Sequence, residues 1–193
     1  MIIGMLGQKQ VGKDTAADYI IHHIDATYCK YSLAYPMKEA VKIIFGWTEE
    51  HVNGKLKEVI DPVLGISPRQ ALTTIGTDWG QYMLCSMFPQ FAKVTGRKLW
   101  VNCLLRQIKE DNWKNVIISD VRFEHEVEAI HSVGGKILKI VRPSLVNTDT
   151  HESEQGGKIE DYDYLIVNEG TLADYFLKVK CAYDFLVKGD KNV

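Results

Sequence analysis

The chain has 193 residues, of which 46% are hydrophobic and 25% charged, values typical of a globular domain and not of a disordered or collagen-like chain. Its 23 Lys+Arg and 25 Asp+Glu give a formal net charge of −2, so no broad positive field is available for a nucleic-acid backbone. The four cysteines form no C-x-x-C pair, which favours free thiols in a reducing compartment, and no apolar run reaches the ~20 residues that span a bilayer. We therefore expect a cytoplasmic protein that binds neither nucleic acid nor membrane.

Short apolar segments alternate with longer amphipathic ones along the chain, and no repeat or linker divides it. This alternation favours an α/β fold, a three-layer sandwich whose five-stranded parallel sheet is covered on both faces. Two polar, poorly periodic segments, 47–66 and 143–162, are predicted to be loops, with the length of functional lids or mobile insertions. Strands are predicted at 2–6, 27–32, 116–119, 137–141 and 165–167, and helices at 15–24, 37–45, 68–75, 99–109, 123–132 and 172–187.

The strongest motif follows the first predicted strand and opens the first predicted helix, as a P-loop does. In such a loop, backbone N–H groups and the helix N-terminus bind phosphate, a lysine reaches the β- and γ-phosphates, and a hydroxyl binds Mg²⁺. The segment predicted to bind the nucleotide comprises Gly7, Gln10, Val11, Gly12, Lys13, Asp14 and Thr15.

One position departs from the general P-loop pattern, because Asp14 stands directly after Lys13 where a serine or threonine is usual. Either Thr15 takes the metal-binding role one residue later, or the metal is held mainly through water. Asp14 is favourable at a helix N-terminus. It is unfavourable beside a triphosphate unless a cation compensates its charge, so a structural and a functional role are both open.

A second acidic site is predicted where the apolar segment 116–119 ends in Asp120-Val121-Arg122. An aspartate at the carboxyl end of a strand beside a P-loop is the arrangement that orders Mg²⁺ or its waters, and helix capping is the alternative. Glu126 lies one helical turn beyond Arg122, and an ion pair between them would either orient Arg122 or be purely structural.

Three of the five arginines lie at predicted element ends, as phosphoryl transfer requires, because cations must surround the donor and acceptor phosphates. Arg69 follows Ser67-Pro68 in a first helical turn, which is unfavourable for a cation unless an anion binds there. Arg142 ends the fourth strand at the start of the predicted lid, 143–162, which would exclude water. Arg97 and Arg106 have no such setting and are expected at the surface.

These motifs together resemble the phage deoxynucleoside monophosphate kinases, within the P-loop nucleoside monophosphate kinase group. The similarity runs nearly end to end, and it makes Asp14 after Lys13 a family feature. Besides the loop, it rests on Tyr31-Ser32-Leu33-Ala34-Tyr35-Pro36-Met37-Lys38, Ser67-Pro68-Arg69, Ile75-Gly76-Thr77-Asp78, Ser119-Asp120-Val121-Arg122-Phe123, His151-Glu152-Ser153-Glu154 and Val167-Asn168-Glu169-Gly170.

The resemblance implies a single P-loop kinase domain over 1–193, with a substrate-binding insertion at about 35–100 and a lid at about 143–162. It implies transfer of the ATP γ-phosphate to a deoxynucleoside 5′-monophosphate with Mg²⁺, in the host cytoplasm for a phage-encoded chain. Lys13 and Thr15 would hold the donor phosphates and metal, and Asp120 would bind the metal through its waters. The acceptor would be bound by Arg69 and Arg122, with Asp14, Lys38 and Glu126 nearby, and adenine by Asn168 and Gly170. Because the predicted lid has no arginine, Arg142 or Lys158 is the candidate lid cation.

Two other functions fit the same residues at this point. Phosphomevalonate kinases of the animal type resemble the chain at several of these motifs and differ in the acceptor. A nucleotide-binding module without catalysis is the second alternative, against which the presence of Lys13, Thr15, Asp120 and Arg122 argues. Apolar helix faces are compatible with a homodimer, and the accepted bases are left open.

Overall fold

The computed structural model describes residues 1–145 and 158–189. Five strands form one sheet in the order β2-β3-β1-β4-β5, and every neighbouring pair is parallel. Each strand overlaps a predicted one, so the predicted α/β fold with a five-stranded parallel sheet is confirmed. The strands are β1 (Ile2–Leu6), β2 (Cys29–Tyr31), β3 (Val116–Val121), β4 (Lys136–Val141) and β5 (Tyr164–Val167).

Helices cover both faces of this sheet, because successive strand residues point to opposite sides. Ile3 and Met5 of β1 are fully buried in a cluster with residues of α1 (Lys13–Tyr19) and α9 (Leu172–Lys188). Gly4, between them, faces Ile130 of α8 (Glu124–Ser132) on the other side. The first helix continues in a π-helical segment, Ile20–Ile24.

The described chain divides into two compact units. The first contains the sheet and comprises residues 1–32 together with the residues from Gln107 onward. The second, Leu33–Arg106, is helical, and its core contains Met37, Val41, Trp47, Val52 and Leu72. Its helices are α2 (Tyr35–Phe45), α3 (Glu49–Val52), α4 (Pro68–Thr73), a π-helical segment (Thr74–Met83), α5 (Leu84–Met87) and α6 (Pro89–Val94). The last residues of α7 (Leu99–Glu110) belong to the first unit.

The second unit differs from the sequence-based expectation in two places. The segment 47–66 was expected to be a loop, but it contains α3, whose capping box joins Thr48 to His51. The helix predicted at 68–75 continues through a π-helical segment, where Trp100 donates from Nε1 to the carbonyl of Gly76 at 2.7 Å. The helix α3 is a single turn, too short for a periodic apolar pattern, and Gly76 and Gly80 weaken the helical signal of the segment that continues α4. A substrate-binding role for the insertion at about 35–100 stays a prediction.

Three further expectations concern the cysteines, membrane-spanning helices and the predicted lid. All four cysteines, Cys29, Cys85, Cys103 and Cys181, are free. Among residues 1–145 and 158–189, no helix is long and apolar enough to cross a membrane. The predicted lid at 143–162 lies largely outside the described residues.

Gly7 is required where β1 passes close to β4. Its φ of +152° is uncommon for other residues, and a Cβ there would lie 2.4 Å from the carbonyl oxygen of Ile140. We expect Gly7→Ala to lower the free energy of unfolding by at least about 3 kcal/mol, measured by urea denaturation. The matched control is Gly134→Ala, whose φ of +77° is also positive but whose Cβ would meet nothing within 4 Å. It should cost about 1 kcal/mol, and equal losses in the two variants would contradict the close approach.

Candidate active site

The carboxyl ends of four strands lie at one edge of the sheet. Leu6, the last residue of β1, pairs with Val121 at the end of β3, and the last residues of β4 and β5 pair with each other. The chain therefore leaves the sheet along one line at four of the predicted site residues. These are Gly7, Arg122, Arg142 and Asn168.

The loop after β1 has the backbone conformation that phosphate binding needs. Positive φ angles occur at Gly7 (+152°), Gln10 (+66°) and Gly12 (+109°), and Gln10 is one of few non-glycine residues to adopt one. Alternation of left-handed with ordinary residues curves a loop so that successive N–H groups converge on an anion. The loop then passes into α1, whose first bond runs from the N–H of Ala16 to the carbonyl of Gly12 at 2.9 Å. Val11 is buried in the core and fixes the middle of the loop.

Lys13 is folded over this loop and is almost completely buried. Its ammonium group donates to the carbonyl oxygens of Gly7 at 2.7 Å and of Gln8 at 2.6 Å. A buried ammonium needs such acceptors, since an uncompensated charge in the interior is costly. The ammonium group is thereby held at the loop, as the P-loop motif predicts.

A bulge in β3 sets the position of Asp120. Between the pairs Gly4–Ile118 and Leu6–Val121, β1 advances by two residues and β3 by three. Bulges of this kind redirect a side chain and are common beside active sites. The half-buried carboxylate of Asp120 accepts a hydrogen bond from the hydroxyl of Ser32 at 2.6 Å. Ser32 belongs to a motif quoted for the resemblance, but its contact with Asp120 had no sequence signal.

Glu126 acts on the backbone of the turn after β3. Its Oε2 accepts from the N–H groups of Arg122 at 2.7 Å and Phe123 at 3.0 Å, which caps α8. The residue is only 6% exposed, and burial raises the pKa of its carboxyl group to about 8, against the opposing effect of these two bonds. Glu126 thus fixes the direction in which the chain leaves β3 at Arg122.

The carboxylate of Asp14 has a cation beside it. Lys30 of β2 lies 2.8 Å from Asp14 and 3.0 Å from Asp18, both on α1. Burial acts to lower the pKa of Lys30, but its bonds and charge interactions with the two aspartates outweigh this effect and raise it. The structure therefore supplies the compensating charge that an acidic residue in a phosphate loop requires. Sequence reasoning missed Lys30, because a lysine in an edge strand is usually only a solvated residue.

Two side chains from the C-terminal part of the chain bond to the phosphate loop. Asn168 donates from Nδ2 to the carbonyl of Val11 at 2.7 Å, and the hydroxyl of Tyr175 donates to the carbonyl of Gly12 at 2.9 Å. Tyr175 was missed in the sequence, where an aromatic residue inside an amphipathic helix is typical of the core. Asn168 was expected to lie near adenine, and its amide group is here engaged with the loop.

Three other predicted residues of the first unit are exposed. Thr15 lies in the first turn of α1, Arg142 follows β4 directly, and Gly170 has a φ of +88° in the turn before α9. They are accessible to ligands from solvent. No contact in the structure tests their predicted roles.

Lys38 and Arg69 lie in the second unit, in the first turns of α2 and α4, and these two helices pack against each other. The ammonium of Lys38 donates to Oδ1 of Asn53 at 2.5 Å. The guanidinium Nε of Arg69 lies 4.0 Å from Oε1 of Glu58, at the limit of an ion pair, and its side chain is 30% exposed. Ser67 caps α4 in a capping box with Gln70, so the backbone that carries Arg69 is well fixed.

A parallel sheet, a glycine loop that opens α1 and an aspartate at the end of the neighbouring strand define the class of P-loop kinases. Solved structures share the fold. The chain aligns with a dephospho-CoA kinase from Campylobacter jejuni (TM-score 0.51, 16% identity, 98% of each chain). It also aligns with a shikimate kinase from Aquifex aeolicus (TM-score 0.53, 15% identity, 98% of this chain and 99% of the other).

Sequence comparison assigns the family. The model of the deoxynucleotide monophosphate kinase family matches residues 1–64 and 66–179, and the chain belongs to this family. It is 32% identical over 191 residues to a putative deoxynucleotide monophosphate kinase of Acanthamoeba polyphaga mimivirus, covering 95% of this chain and 96% of the relative. It is 24% identical over 246 residues to the deoxynucleotide monophosphate kinase of Enterobacteria phage T4, covering 93% and 97%. The resemblance is confirmed, and the chain is an ATP-dependent phosphotransferase.

The buried carboxyl group of Glu126 predicts a pH effect on stability. Because its pKa is raised from 4.5 to about 8, the folded state binds more protons than the unfolded state between these values. Its contribution to stability is therefore full below about pH 4.5 and is lost as the pH rises through about 8. Glu126→Gln retains an acceptor oxygen for both N–H groups and removes the titration. Relative to the wild type, this variant should gain up to about 1.4 kcal/mol per pH unit across that range.

The measurement is the free energy of unfolding in urea at pH 5.5 and 7.5. Glu124→Gln, an exposed residue in the same helical turn, is the control and should leave the pH dependence unchanged. An identical pH dependence in the wild type and Glu126→Gln would show that Glu126 does not titrate in this way.

Proposed function

We propose that this chain transfers the γ-phosphate of ATP to a deoxynucleoside 5′-monophosphate, giving ADP and the deoxynucleoside diphosphate. The observation that carries the proposal is the strand–loop–helix in which Lys13 is buried against the loop. The loop lies at the edge of the sheet where β3 ends, with Asp120 as the second-last residue of that strand and Arg122 directly after it. Membership of the deoxynucleotide monophosphate kinase family supports this acceptor class.

On the donor side, the loop from Gly7 to Thr15 receives the ATP phosphates. Lys13 already lies at the loop, and its two carbonyl partners hold the ammonium group until phosphate oxygens replace them. The exchange is favourable because a charge-assisted bond to phosphate is stronger than a bond to a neutral carbonyl. Adenine binds at the turn that contains Asn168 and Gly170, by the family resemblance.

The residues present fit a magnesium ion. Mg²⁺ prefers oxygen ligands, and Thr15 offers an exposed hydroxyl while Asp120 offers a half-buried carboxylate oriented by Ser32. When bound, the ion neutralises charge on the donor phosphates. Lys30 offsets part of the charge of Asp14, so this carboxylate repels the triphosphate less than an isolated charge would.

On the acceptor side, the family resemblance assigns the monophosphate to Arg69 and Arg122, with Lys38 near the substrate and Arg142 or Lys158 in place of a lid arginine. Glu126 contributes through the backbone of Arg122, since its carboxyl group is buried and bonded to that N–H group. An oxygen of the acceptor phosphate then attacks the γ-phosphorus, and the bond to the β-phosphate oxygen breaks to release ADP. The cations on both sides stabilise the charge that spreads over the transferred group.

A homodimer and a cytoplasmic location stay predictions. Leu172, Leu177 and Phe185 of α9 are large apolar side chains that are exposed in the single chain, and they support an interface of this helix.

The function is tested with a panel of acceptors and ATP, comprising every deoxy- and ribonucleoside monophosphate and phosphomevalonate. We expect ADP formation with one or more deoxynucleoside monophosphates, and a loss of at least about 100-fold in kcat for Lys13→Met. Lys114→Met, an exposed residue before β3, is the matched control and should retain full activity. Turnover of phosphomevalonate without any nucleotide would identify the wrong acceptor. ATP binding without any transfer would indicate a non-catalytic module.

The acceptor clamp is tested with Arg69→Ala. Loss of a guanidinium–phosphate contact should raise the KM for the monophosphate by about 10- to 100-fold and leave the Kd for ATP within about twofold of wild type. Arg106→Ala removes an exposed arginine from the same unit and should change neither value. The reverse pattern, a weakened ATP affinity with an unchanged KM for the acceptor, would place Arg69 on the donor side.

A further inference from the structure

Two neighbouring carbonyl groups of the phosphate loop are held by side chains that lie far away in the sequence. The amide of Asn168 bonds to the carbonyl of Val11 across 157 positions, and the hydroxyl of Tyr175 bonds to that of Gly12 across 163. Asn168 is itself fixed, because its backbone N–H donates to the carbonyl of Val141 at 2.7 Å. The ring of Tyr175 is buried in the same apolar cluster as Val11.

These bonds, together with the bond from the N–H of Ala16 to the carbonyl of Gly12, fix where two N–H groups point. A peptide unit is planar and trans, so its N–H is directed opposite to its carbonyl. The carbonyl of Val11 shares a peptide unit with the N–H of Gly12, and the carbonyl of Gly12 shares one with the N–H of Lys13. Bonding both carbonyls to the C-terminal segment therefore turns the N–H groups of Gly12 and Lys13 to the opposite side, away from that segment.

The contact requires a glycine at position 12. A Cβ there would lie 2.8 Å from the amide nitrogen of Asn168 and 3.0 Å from the hydroxyl of Tyr175, and the φ of +109° is unfavourable for any other residue. The two side chains thus occupy the space that a side chain at position 12 would take. Glycine in this motif serves the approach of Asn168 and Tyr175 as well as the curvature of the loop.

We propose that Tyr175, together with Asn168, is a positioning residue for the ATP phosphates and fixes the peptide units whose N–H groups bind them. The inference rests on the proposed function only in assigning the loop to the donor phosphates. It gives Tyr175 a role that no motif indicates, and it gives Asn168 a role besides adenine binding. Burial raises the pKa of Tyr175, so its hydroxyl keeps the proton that it donates to Gly12.

The test is calorimetric titration of the full chain with ATP and with inorganic tripolyphosphate, which has no base. Tyr175→Phe keeps the buried ring and loses one hydrogen bond, while Gly12 retains its bond from Ala16. We expect the Kd for both ligands to rise by about 3- to 10-fold, with an unchanged KM for the acceptor monophosphate. Asn168→Ala should weaken tripolyphosphate binding by a similar factor, which adenine binding alone would not produce.

The matched control is Tyr183→Phe on the same helix, which loses a 2.7 Å bond from its hydroxyl to Asp25. It should lower the unfolding temperature about as much as Tyr175→Phe and leave both Kd values within about twofold of wild type. An unchanged tripolyphosphate Kd in Tyr175→Phe, or an equal rise in Tyr183→Phe, would overturn the inference. If the wild type transfers phosphate to no deoxynucleoside monophosphate while Tyr175→Phe still weakens both ligands, the proposed function fails and the role of Tyr175 stands.

Discussion

Parallel pairing of β1 with both β3 and β4 is the constraint on which the rest of the structure depends. Because parallel strands all end on the same side, the register of the two pairings brings the phosphate loop, the Asp120 turn and the end of β4 to one edge. The close approach of Gly7 to the carbonyl of Ile140 follows from the pairing of β1 with β4. The central strands β1, β3 and β4, which place most of these groups, consist largely of buried apolar residues.

Several charged groups at this edge are each held by hydrogen-bonding or ion-pair partners. Lys13 is held by backbone carbonyls, Lys30 by Asp14 and Asp18, and Asp120 by a hydroxyl. The formal net charge of −2 shows that the chain has no excess of cations, so the few at this edge act locally. A small polyanion needs only a few fixed donors, since backbone N–H groups and a helix N-terminus supply much of the attraction.

The sequence predicted those parts of the molecule whose signals are local. Apolar segments bounded by turns located all five strands, and the loop ending in Lys13 located the nucleotide site, because glycine spacing and strand–helix context are properties of adjacent residues. The contacts of Lys30, Ser32 and Tyr175 were not predictable, since each joins elements distant in the sequence. The bulge that redirects Asp120 was missed for the same reason, because it is visible only in the register of two strands.

The bonds from Asn168 and Tyr175 to the loop also bear on how the molecule forms. The loop is synthesised before β5 and α9, yet two of its peptide units are held by residues about 160 positions later. Contacts of such separation form late, because closing a long stretch of chain costs entropy before any contact compensates it. During translation, the loop and α1 therefore emerge from the ribosome well before β5 and α9 can hold them in shape. The full affinity for ATP that we propose for the intact loop is accordingly reached only after β5 and α9 have formed.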